Sequence, residues 1–435
     1  MSGKTAKRMG IEILILFAFV GLCGSVFSLE SKEIFVLGFV GLFLLPLADR
    51  YMVRAAKNEE KYRESVSYME QFLCSYKRTS VVGTSLEDCR SLFESSSDMN
   101  TVLQSALHIL KTGEEAGENI LRAAFGVIGE NYPSRRMKLM HEYVIKVEQM
   151  GGRIESWMDL LLREIQLWKE RTLLYQKKKS MLRRESFLSI LMSMGLCWLS
   201  NLLIPSMFRK QLVASAIYQI STMVTLILFM ILAVLILANL TRTWLDCKRE
   251  PKHFGEGKIE SQYERIKKNK HSIGGYFAKK SIIPYIREEF PYWLLTVILF
   301  LQQDSLYQAV SQSSDHVHGF FKKEVQYFLE QLYEDPVSLH PYQEFFSEFF
   351  LPEIQTGMKM LYAFRQNGYE DTSRQIYFLI EQNNLIMDQV ERQRLEDQLG
   401  VMGILRQIPM GIATAKVILD VVFIFILSFG RYFVV

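Results

Sequence analysis

The sequence lacks several features that identify secreted, metal-binding or nucleic-acid-binding proteins. Its 435 residues include only five cysteines, at positions 23, 74, 89, 197 and 247, and none of them forms a CxxC pair. An odd, scattered set of this kind indicates reduced thiols and excludes a disulfide framework or a zinc site. The net charge of +4 is small for the length, so a nucleic-acid partner is not indicated.

The sequence also lacks a recognisable catalytic motif. "GKT" at residues 3–5 resembles the end of a phosphate-binding loop, but the earlier glycine and the preceding strand of that motif are absent. His316 and His318 in "DHVHG" are two residues apart and cannot share a helix face, which favours surface histidines over metal ligands. No Ser/His/Asp, Cys/His or paired-carboxylate arrangement stands out. We therefore expect a non-enzymatic protein that needs no cofactor.

What the sequence does contain is long apolar segments between charged blocks. Hydrophobic residues make up 49% of the chain and charged residues 23%, a mixture that suits neither an ordinary soluble domain nor a compact transporter. A membrane-spanning helix needs roughly 20 apolar residues. Five segments qualify, the second being short and containing Pro46: 11–29, 34–48, 187–208, Ala216–Leu240 and 417–435. We interpret the first two as a hairpin and not as a signal peptide, because no convincing cleavage pattern follows.

Basic residues predict the orientation of these spans. Lysines and arginines cluster before the first span, after the second, before the third and after the fourth, whereas the opposite turns carry few, chiefly Arg209 and Lys210. Because basic loops stay in the cytoplasm, the blocks at about 50–186 and 241–415 are predicted to be cytoplasmic and the C-terminus to lie outside.

Neither block shows the alternation of a strand, and both are predicted to be helical. In the first block we mark six helices: 60–77, one opened by a capping box at 84–87, 99–111, 116–129, one opened by Pro133, and one after Gly152 that continues unbroken into the third span. The capping box would use the Thr84 hydroxyl and the Glu87 carboxylate.

The second block repeats this plan. "TSLEDCRSLF" corresponds to "DSLYQAVSQS" with Asp304 as the cap, and Asp335–Pro336 is predicted to supply the cap and first-turn proline of a later helix. Gly368 falls where Gly152 falls in the first block. The repeat is indicated by the pattern of helix and turn signals and not by identical residues.

Six helices, a glycine at the last turn, an apolar seam, a basic segment and a pair of spans resemble the type II secretion F domain. A typical member has G-E-x-x-G-x-L before its last helix. Here "VEQMGGRIESW" keeps Gly152 and an apolar Ile154 but lacks the leading Gly-Glu, and "QNGYEDTSRQI" is further from the pattern. The order of hairpin, domain, span pair, domain and span is similar to the Tad/Flp pilus assembly platform proteins, of the TadB and TadC type, and to the archaellum platform protein.

This resemblance implies an all-α, polytopic membrane protein with two cytoplasmic six-helix-bundle domains. The expected divisions are an N-terminal transmembrane hairpin (1–50), a first cytoplasmic domain (55–186), a transmembrane pair (187–240), a basic linker (241–280), a second cytoplasmic domain (281–400) and a C-terminal transmembrane helix (411–435). Family members usually end each domain with two spans, whereas the second domain here has one clear span.

The function that the resemblance implies is that of an inner-membrane platform for a type IV or Tad-like pilus or a type II secretion pseudopilus. Its expected partners are a cytoplasmic secretion ATPase, pilin or pseudopilin subunits, the lipid bilayer and further copies or relatives in a homo- or hetero-oligomer. The alternative is a transporter or channel with cytoplasmic helical regulatory domains, but the spans offer little polarity beyond Asn201, Pro205 and Asn239, and such proteins have broken, polar spans.

Three sets of residues are candidate sites. Gly151, Gly152 and Gly368 are predicted to form tight turns, since glycine adopts positive φ without a Cβ penalty; the first turn could also set the angle of the following helix. Glu114, Glu115 and Glu118 in "GEEAGE" fit either a solvated helix start or an ATPase contact. Lys416 and Asp420 can pair one turn apart inside the last span, where ionisable groups indicate function unless they extend towards the cytoplasmic surface.

Overall fold

The computed structural model describes residues 2–113, 120–150, 155–240, 260–264, 266, 273–301, 304–366 and 372–432. Within these ranges all regular secondary structure is helical and no strand is present. The prediction of an all-α chain is therefore confirmed for the described residues.

The helices vary greatly in length. In chain order they are α1 Ser2–Phe27, α2 Ser31–Thr79, α3 Val82–Ser91, α4 Asp98–Thr112, α5 Ile120–Asn131, α6 Arg135–Met150, α7 Glu155–Leu203, α8 Ser206–Val213, α9 Ala216–Leu240, α10 Ile273–Phe300, α11 Leu306–Ser313, α12 Gly319–Glu334, α13 His340–Glu344, α14 Pro352–Gln366 and α15 Thr372–Tyr432. Short 3₁₀ turns follow α11 at Ser314–His316 and precede α14 at Ser347–Phe349.

Five helices among the described residues are long and apolar enough to cross a membrane, as the sequence predicts. They are α1 from Met9, α2, α7 from Leu161, α9, and α15 over Gly403–Ile426. The last of these helices contains Pro409 and overlaps the predicted span 417–435, of which residues 433–435 lie outside the described residues. A proline is tolerated inside a spanning helix where neighbouring groups satisfy the freed carbonyl.

The chain folds into two compact units, each built from segments that are far apart in the sequence. The membrane unit comprises Met1–Glu60, Arg171–Trp244 and Glu396–Val435, and the extramembrane unit comprises Lys61–Glu170 and Leu245–Leu395. Both charged blocks of the sequence thus belong to one unit. Three helices, α2, α7 and α15, begin in one unit and end in the other, so the separate helix predicted at 60–77 is the end of a 49-residue helix.

The core of the membrane unit lies between its apolar helices. Cys23, Leu37, Cys197, Phe229 and Ile236 are among the side chains buried there. Small residues allow close approach, since a Cβ on Gly41 would come within 2.7 Å of Leu16 and 2.8 Å of Met230. This is the usual way in which spanning helices pack without a hydrophobic driving force between them.

The first segment of the second unit, which is called extramembrane because the apolar parts of the candidate spans lie in the other unit, has a core built on α2. Tyr68, Phe72 and Tyr76 recur every four residues and therefore share one face of the helix. All three are buried. Phe72 meets Phe125 of α5 edge-on at 5.7 Å, and His141 of α6 stacks on Phe125 at 4.1 Å between centroids.

The second segment has an aromatic core built on α10. The ring of Trp293 stacks on Phe345 at 4.9 Å and meets Phe321 of α12 edge-on at 6.0 Å. Trp293 donates its indole N–H to the Ser313 hydroxyl over 2.9 Å, which satisfies the only polar group of a fully buried side chain.

The order of helices in the second segment follows that of the first. The first segment consists of α2–α7 and the second of α10–α15. In each, the first helix is followed by a short helix, a helix of about four turns, a shorter helix and another of about four turns. The sixth helix of each segment is long and continues into a candidate span. A helix of 16 residues is about 24 Å long at 1.5 Å per residue. Helices of similar length therefore occupy the same positions in the order of the two segments.

The helix caps differ from those that the sequence predicted. The first residue before α3 is Val81, which provides no side-chain cap, and Thr84 lies inside the helix. The cap of α11 is Ser305, one residue after the predicted Asp304, and Ser305 forms a capping box with Gln308. Asp335 ends α12. The later helix has a different proline, Pro341, in its first turn.

Candidate functional site

A buried arginine joins three helices of the extramembrane unit. Arg136, in the first turn of α6, has a side chain only 2% exposed. Its Nε donates to Oε1 of Glu164 on α7 over 2.8 Å, and its Nη2 donates to Oε1 of Glu391 on α15 over 2.6 Å. Because α7 and α15 are the final helices of the two segments, one guanidinium links both segments.

Aromatic rings cover this arginine. The guanidinium carbon lies 4.9 Å from the centroid of the Trp168 ring and 5.7 Å from that of Tyr292. A cation over such a ring is attracted by its quadrupole, and the attraction strengthens when water is excluded. We call Arg136, Glu164, Glu391, Trp168 and Tyr292 the arginine cluster.

Two further ion pairs join the segments beside the arginine cluster. Arg135 contacts Glu289 of α10 at 2.5 Å. Burial lowers the pKa of Arg135, but the Glu289 carboxylate outweighs this effect and raises it overall. Lys146, three turns further along α6, contacts Asp304 at 2.5 Å, and its Nζ lies 4.0 Å from the centroid of the Phe300 ring. The whole length of α6 therefore contributes cations to this junction.

A polar cavity of about 340 Å³ lies at the Lys146 end of the junction. Its walls carry charges of both signs and one imidazole; the charged and aromatic members are Arg122, Lys138, Glu142, Lys146, Phe300, Asp315 and His316. Arg122 already contacts Glu142 at 3.1 Å. Burial lowers the pKa of His316, with Lys138 and Arg122 acting in the same direction against Glu142 and Asp315.

Of the two histidines that the sequence favoured as surface residues, His318 is exposed and His316 is half-buried. His316 lies in the 3₁₀ turn after α11, with its ring 5.7 Å from Phe300. Among the described residues, no group of three or more His, Cys, Asp or Glu side chains is placed to hold a metal ion. The described junction holds ion pairs that fix helices together.

The arginine cluster was not predicted from the sequence, although a signal was present. Arg136 lies on the apolar stripe of α6 that continues through Met140 and Val144, and Glu164 lies between Leu161 and Trp168 on that of α7. A charged residue on a buried stripe needs a partner, and each of these two is the partner of the other.

Lys416 and Asp420 lie in the membrane unit, 6% and 5% exposed. Lys416 Nζ donates to the Asp420 carboxylate and lies 4.3 Å from the centroid of the Tyr218 ring. The Tyr218 hydroxyl accepts from Asn201 Nδ2 over 2.9 Å and donates to the Phe27 carbonyl over 3.4 Å. Residues of α1, α7, α9 and α15 thus meet in one polar cluster.

The partners of this pair lie at helix ends, since Asn201 is near the end of α7 and Tyr218 is near the start of α9. Packing between helices accounts for the burial of Lys416 and Asp420. A functional role for the two residues stays a prediction.

The other predicted site residues lie outside the described residues. These are Glu114, Glu115 and Glu118, which follow α4, Gly151 and Gly152 between α6 and α7, and Gly368 between α14 and α15. The described neighbour Gly113 has φ +64° and ends α4 with a left-handed residue that favours glycine.

Comparison with known proteins gives no relative: no family model, curated protein or solved structure matches the chain.

Proposed function

We propose that this chain is a non-enzymatic platform of the cell's inner membrane, on which a type IV or Tad-like pilus, or a type II secretion pseudopilus, is assembled. The arginine cluster carries the proposal. It fastens α7 and α15, the two final helices that continue into spans, through one buried cation. A displacement of α6 would thus act on both helices.

In this proposal the two segments of the extramembrane unit are two six-helix bundles of the secretion F type, placed in the cytoplasm. The recurring helix order supports the bundles. The basic residues at the cytoplasmic ends of the spans support the placement; four of them, Lys177, Lys178, Arg183 and Arg184, lie on α7 just before its apolar half.

The motor in this mechanism is a separate secretion ATPase in the cytoplasm. Its contact with the extramembrane unit would move α6, and the ion pairs of α6 would pass that motion to α7 and α15. Pilin or pseudopilin subunits would be inserted or extracted at the membrane unit. Helices suit this role because a continuous hydrogen-bonded helix moves as a rigid element, and allosteric coupling runs through such elements.

Copurification tests the proposal. The full-length chain, purified in detergent, should retain the secretion ATPase encoded in the same genome and should hydrolyse no ATP alone. Glu114→Lys with Glu115→Lys should weaken this binding, because complementary charge sets orientation and on-rate. The matched control is Glu330→Lys with Glu334→Lys on α12, both exposed. Failure to retain the ATPase would refute the platform function.

Reporter fusions test the orientation independently. Fusions at about residues 120 and 330 should report the cytoplasm, and one at the C-terminus should report the outside, since basic flanks stay inside. An external signal at residue 120 would reverse the assignment.

A transporter is the second candidate function, and the polar cluster around Lys416 and Asp420 is the observation that favours it. Purified chain in liposomes would then conduct ions or solutes, and Asp420→Asn would abolish the flux. The platform function requires no flux from either protein.

A further inference from the structure

The membrane unit contains an apolar groove of about 410 Å³ between α1, α2, α7 and α9. Its walls are aliphatic and aromatic side chains, with small residues beneath them. Lining residues from each of these helices include Leu16, Leu44, Ala48, Phe187, Leu191 and Ala233. The groove is open to the outside, and Leu191 on its wall is 67% exposed.

One end of the groove is basic. Phe187, Leu191 and Met194 of α7 line it, and residues three and four before Phe187 lie on the same helix face. Those residues are Arg184 and Arg183, which are both exposed. Neither guanidinium has an ion-pair partner among the described residues, whereas the next residue, Glu185, contacts Arg406 at 2.8 Å.

The same end marks where the apolar segments of the spans finish. On α2 the groove-lining residues run from Gly41 to Met52, and charged residues begin again at Asp49. Glu12 of α1 also borders this end and already interacts within the protein. The apolar walls of the groove thus adjoin Arg183 and Arg184 at the end where the apolar part of α2 finishes.

We propose that this groove binds one anionic phospholipid, with an acyl chain between the helices and the headgroup phosphate on Arg183 and Arg184. Arginine matches a phosphate with two parallel N–H donors. Basic pockets at the ends of spanning helices hold anionic headgroups in the same way. This site is independent of the platform function, since it needs only that α2 and α7 cross a bilayer.

A neutral lipid or a protein helix fits these observations less well. A neutral lipid would fill the apolar walls but leave both arginines without a counter-charge. A spanning helix would need close backbone approach along the whole groove, whereas Phe187 and Leu191 stand on its wall. Small residues, and not large ones, line helix–helix contacts in membranes.

The test uses the full-length chain in a mild detergent and native mass spectrometry to count bound lipids. Phosphatidylglycerol is titrated against phosphatidylcholine with identical acyl chains. We expect one phosphatidylglycerol to bind preferentially. Arg183→Gln with Arg184→Gln should weaken that binding on the order of 10- to 30-fold, as expected for two charges near a headgroup. Ala48→Trp should block it by filling the groove.

Arg209→Gln with Lys210→Gln, on α8, is the matched control and should change nothing. Circular dichroism and the thermal midpoint in detergent establish that each variant is folded. Equal binding of the two lipids, or unchanged phosphatidylglycerol binding by the Arg183/Arg184 variant, would overturn the proposal. So would a copurifying polypeptide, or a second copy of this chain, that crosslinks to position 48.

Discussion

The two segments of the extramembrane unit follow one order of helices but fill their cores differently. Equivalent positions can be counted from the helix ends. The core residue Phe72 lies seven residues before the end of α2, and the core residue Trp293 lies seven residues before the end of α10. His141 is the seventh residue of α6, and Met358 is the seventh of α14. The first segment thus has a buried imidazole where the second has a thioether.

This difference shows that helix order does not fix core chemistry. The His141 ring accepts or donates one hydrogen bond with the Tyr68 hydroxyl at 2.9 Å, and burial lowers its pKa to about 3. Met358 is fully buried and has no group that titrates. His141 should therefore make a proton-dependent contribution to the stability of the first segment that Met358 cannot make in the second.

The largest loss of stability should come from removing the buried cation that joins the two segments. Arg136→Ala leaves Glu164 and Glu391 without their shared cation, and breaking a buried pair in this way costs about 3–5 kcal/mol. Chemical denaturation of the full-length protein in detergent measures the loss. Arg122→Ala, which removes an ion pair with a 60% exposed arginine, is the control and should cost less than about 1 kcal/mol. Similar losses for both variants would contradict a locking role for Arg136.

The second-largest loss of stability should come from a substitution that overpacks the core of the second segment. A Cβ at Gly357 would lie 2.7 Å from Cζ of Phe290 and 3.0 Å from Leu294. Gly357→Val should therefore destabilise the protein by about 1–3 kcal/mol through overpacking. Gly126→Val in the first segment meets no atom within 4 Å and serves as the control in the same denaturation experiment. If Gly357→Val destabilises the protein no more than Gly126→Val does, tight packing of α14 on α10 would be contradicted.

The third effect tests proton dependence. His141 has a folded-state pKa of about 3, below its ordinary value of about 6.5, so the unfolded chain takes up the proton first. Stability should therefore fall as pH decreases below about 6.5, by up to about 1.4 kcal/mol per pH unit from this residue. His141→Met copies the second segment and should remove that part of the slope. Parallel pH profiles for the two proteins would refute the assignment.

The smallest effect concerns the caps. Ser305 accepts from the Gln308 amide over 3.3 Å, so Ser305→Ala should cost about 1 kcal/mol. Thr84, exposed and inside α3, occupies the predicted equivalent position. Thr84→Ala should cost less than about 0.5 kcal/mol, as surface substitutions usually do. A larger loss of stability for Thr84→Ala than for Ser305→Ala would support Thr84 as the helix cap that the sequence predicted.

Local patterns predicted much of this fold. The apolar segments identified the spans because 20 consecutive apolar residues are a strong signal, and the helix predicted after Gly152 corresponds to α7. Cap positions were wrong by one to several residues, since Val81 can precede a helix without a side-chain cap when packing determines the start. The resemblance to the secretion F domain stays a prediction.

The candidate site was less predictable because its members are far apart in sequence. Arg136, Glu164 and Glu391 come together only through packing of α6, α7 and α15, and no local spacing reveals a pair separated by 255 residues. Lys416 and Asp420, one turn apart, were found at once, but their neighbours Tyr218 and Asn201 were not. Charged residues on otherwise apolar stripes are the usable signal for such sites.

In evolutionary terms, the recurring helix order is what duplication and fusion of one gene would leave. Two identical copies related by a twofold axis would make every contact twice, i with j and j with i. Arg135, the first residue of α6, contacts Glu289, which lies eleven residues before the end of α10. The corresponding positions in the other segment are Pro352 and Tyr68, which cannot form an ion pair, and Tyr68 instead contacts His141 in the core. The two segments therefore differ at this contact, so a chain with either segment duplicated in place of the other would lose it.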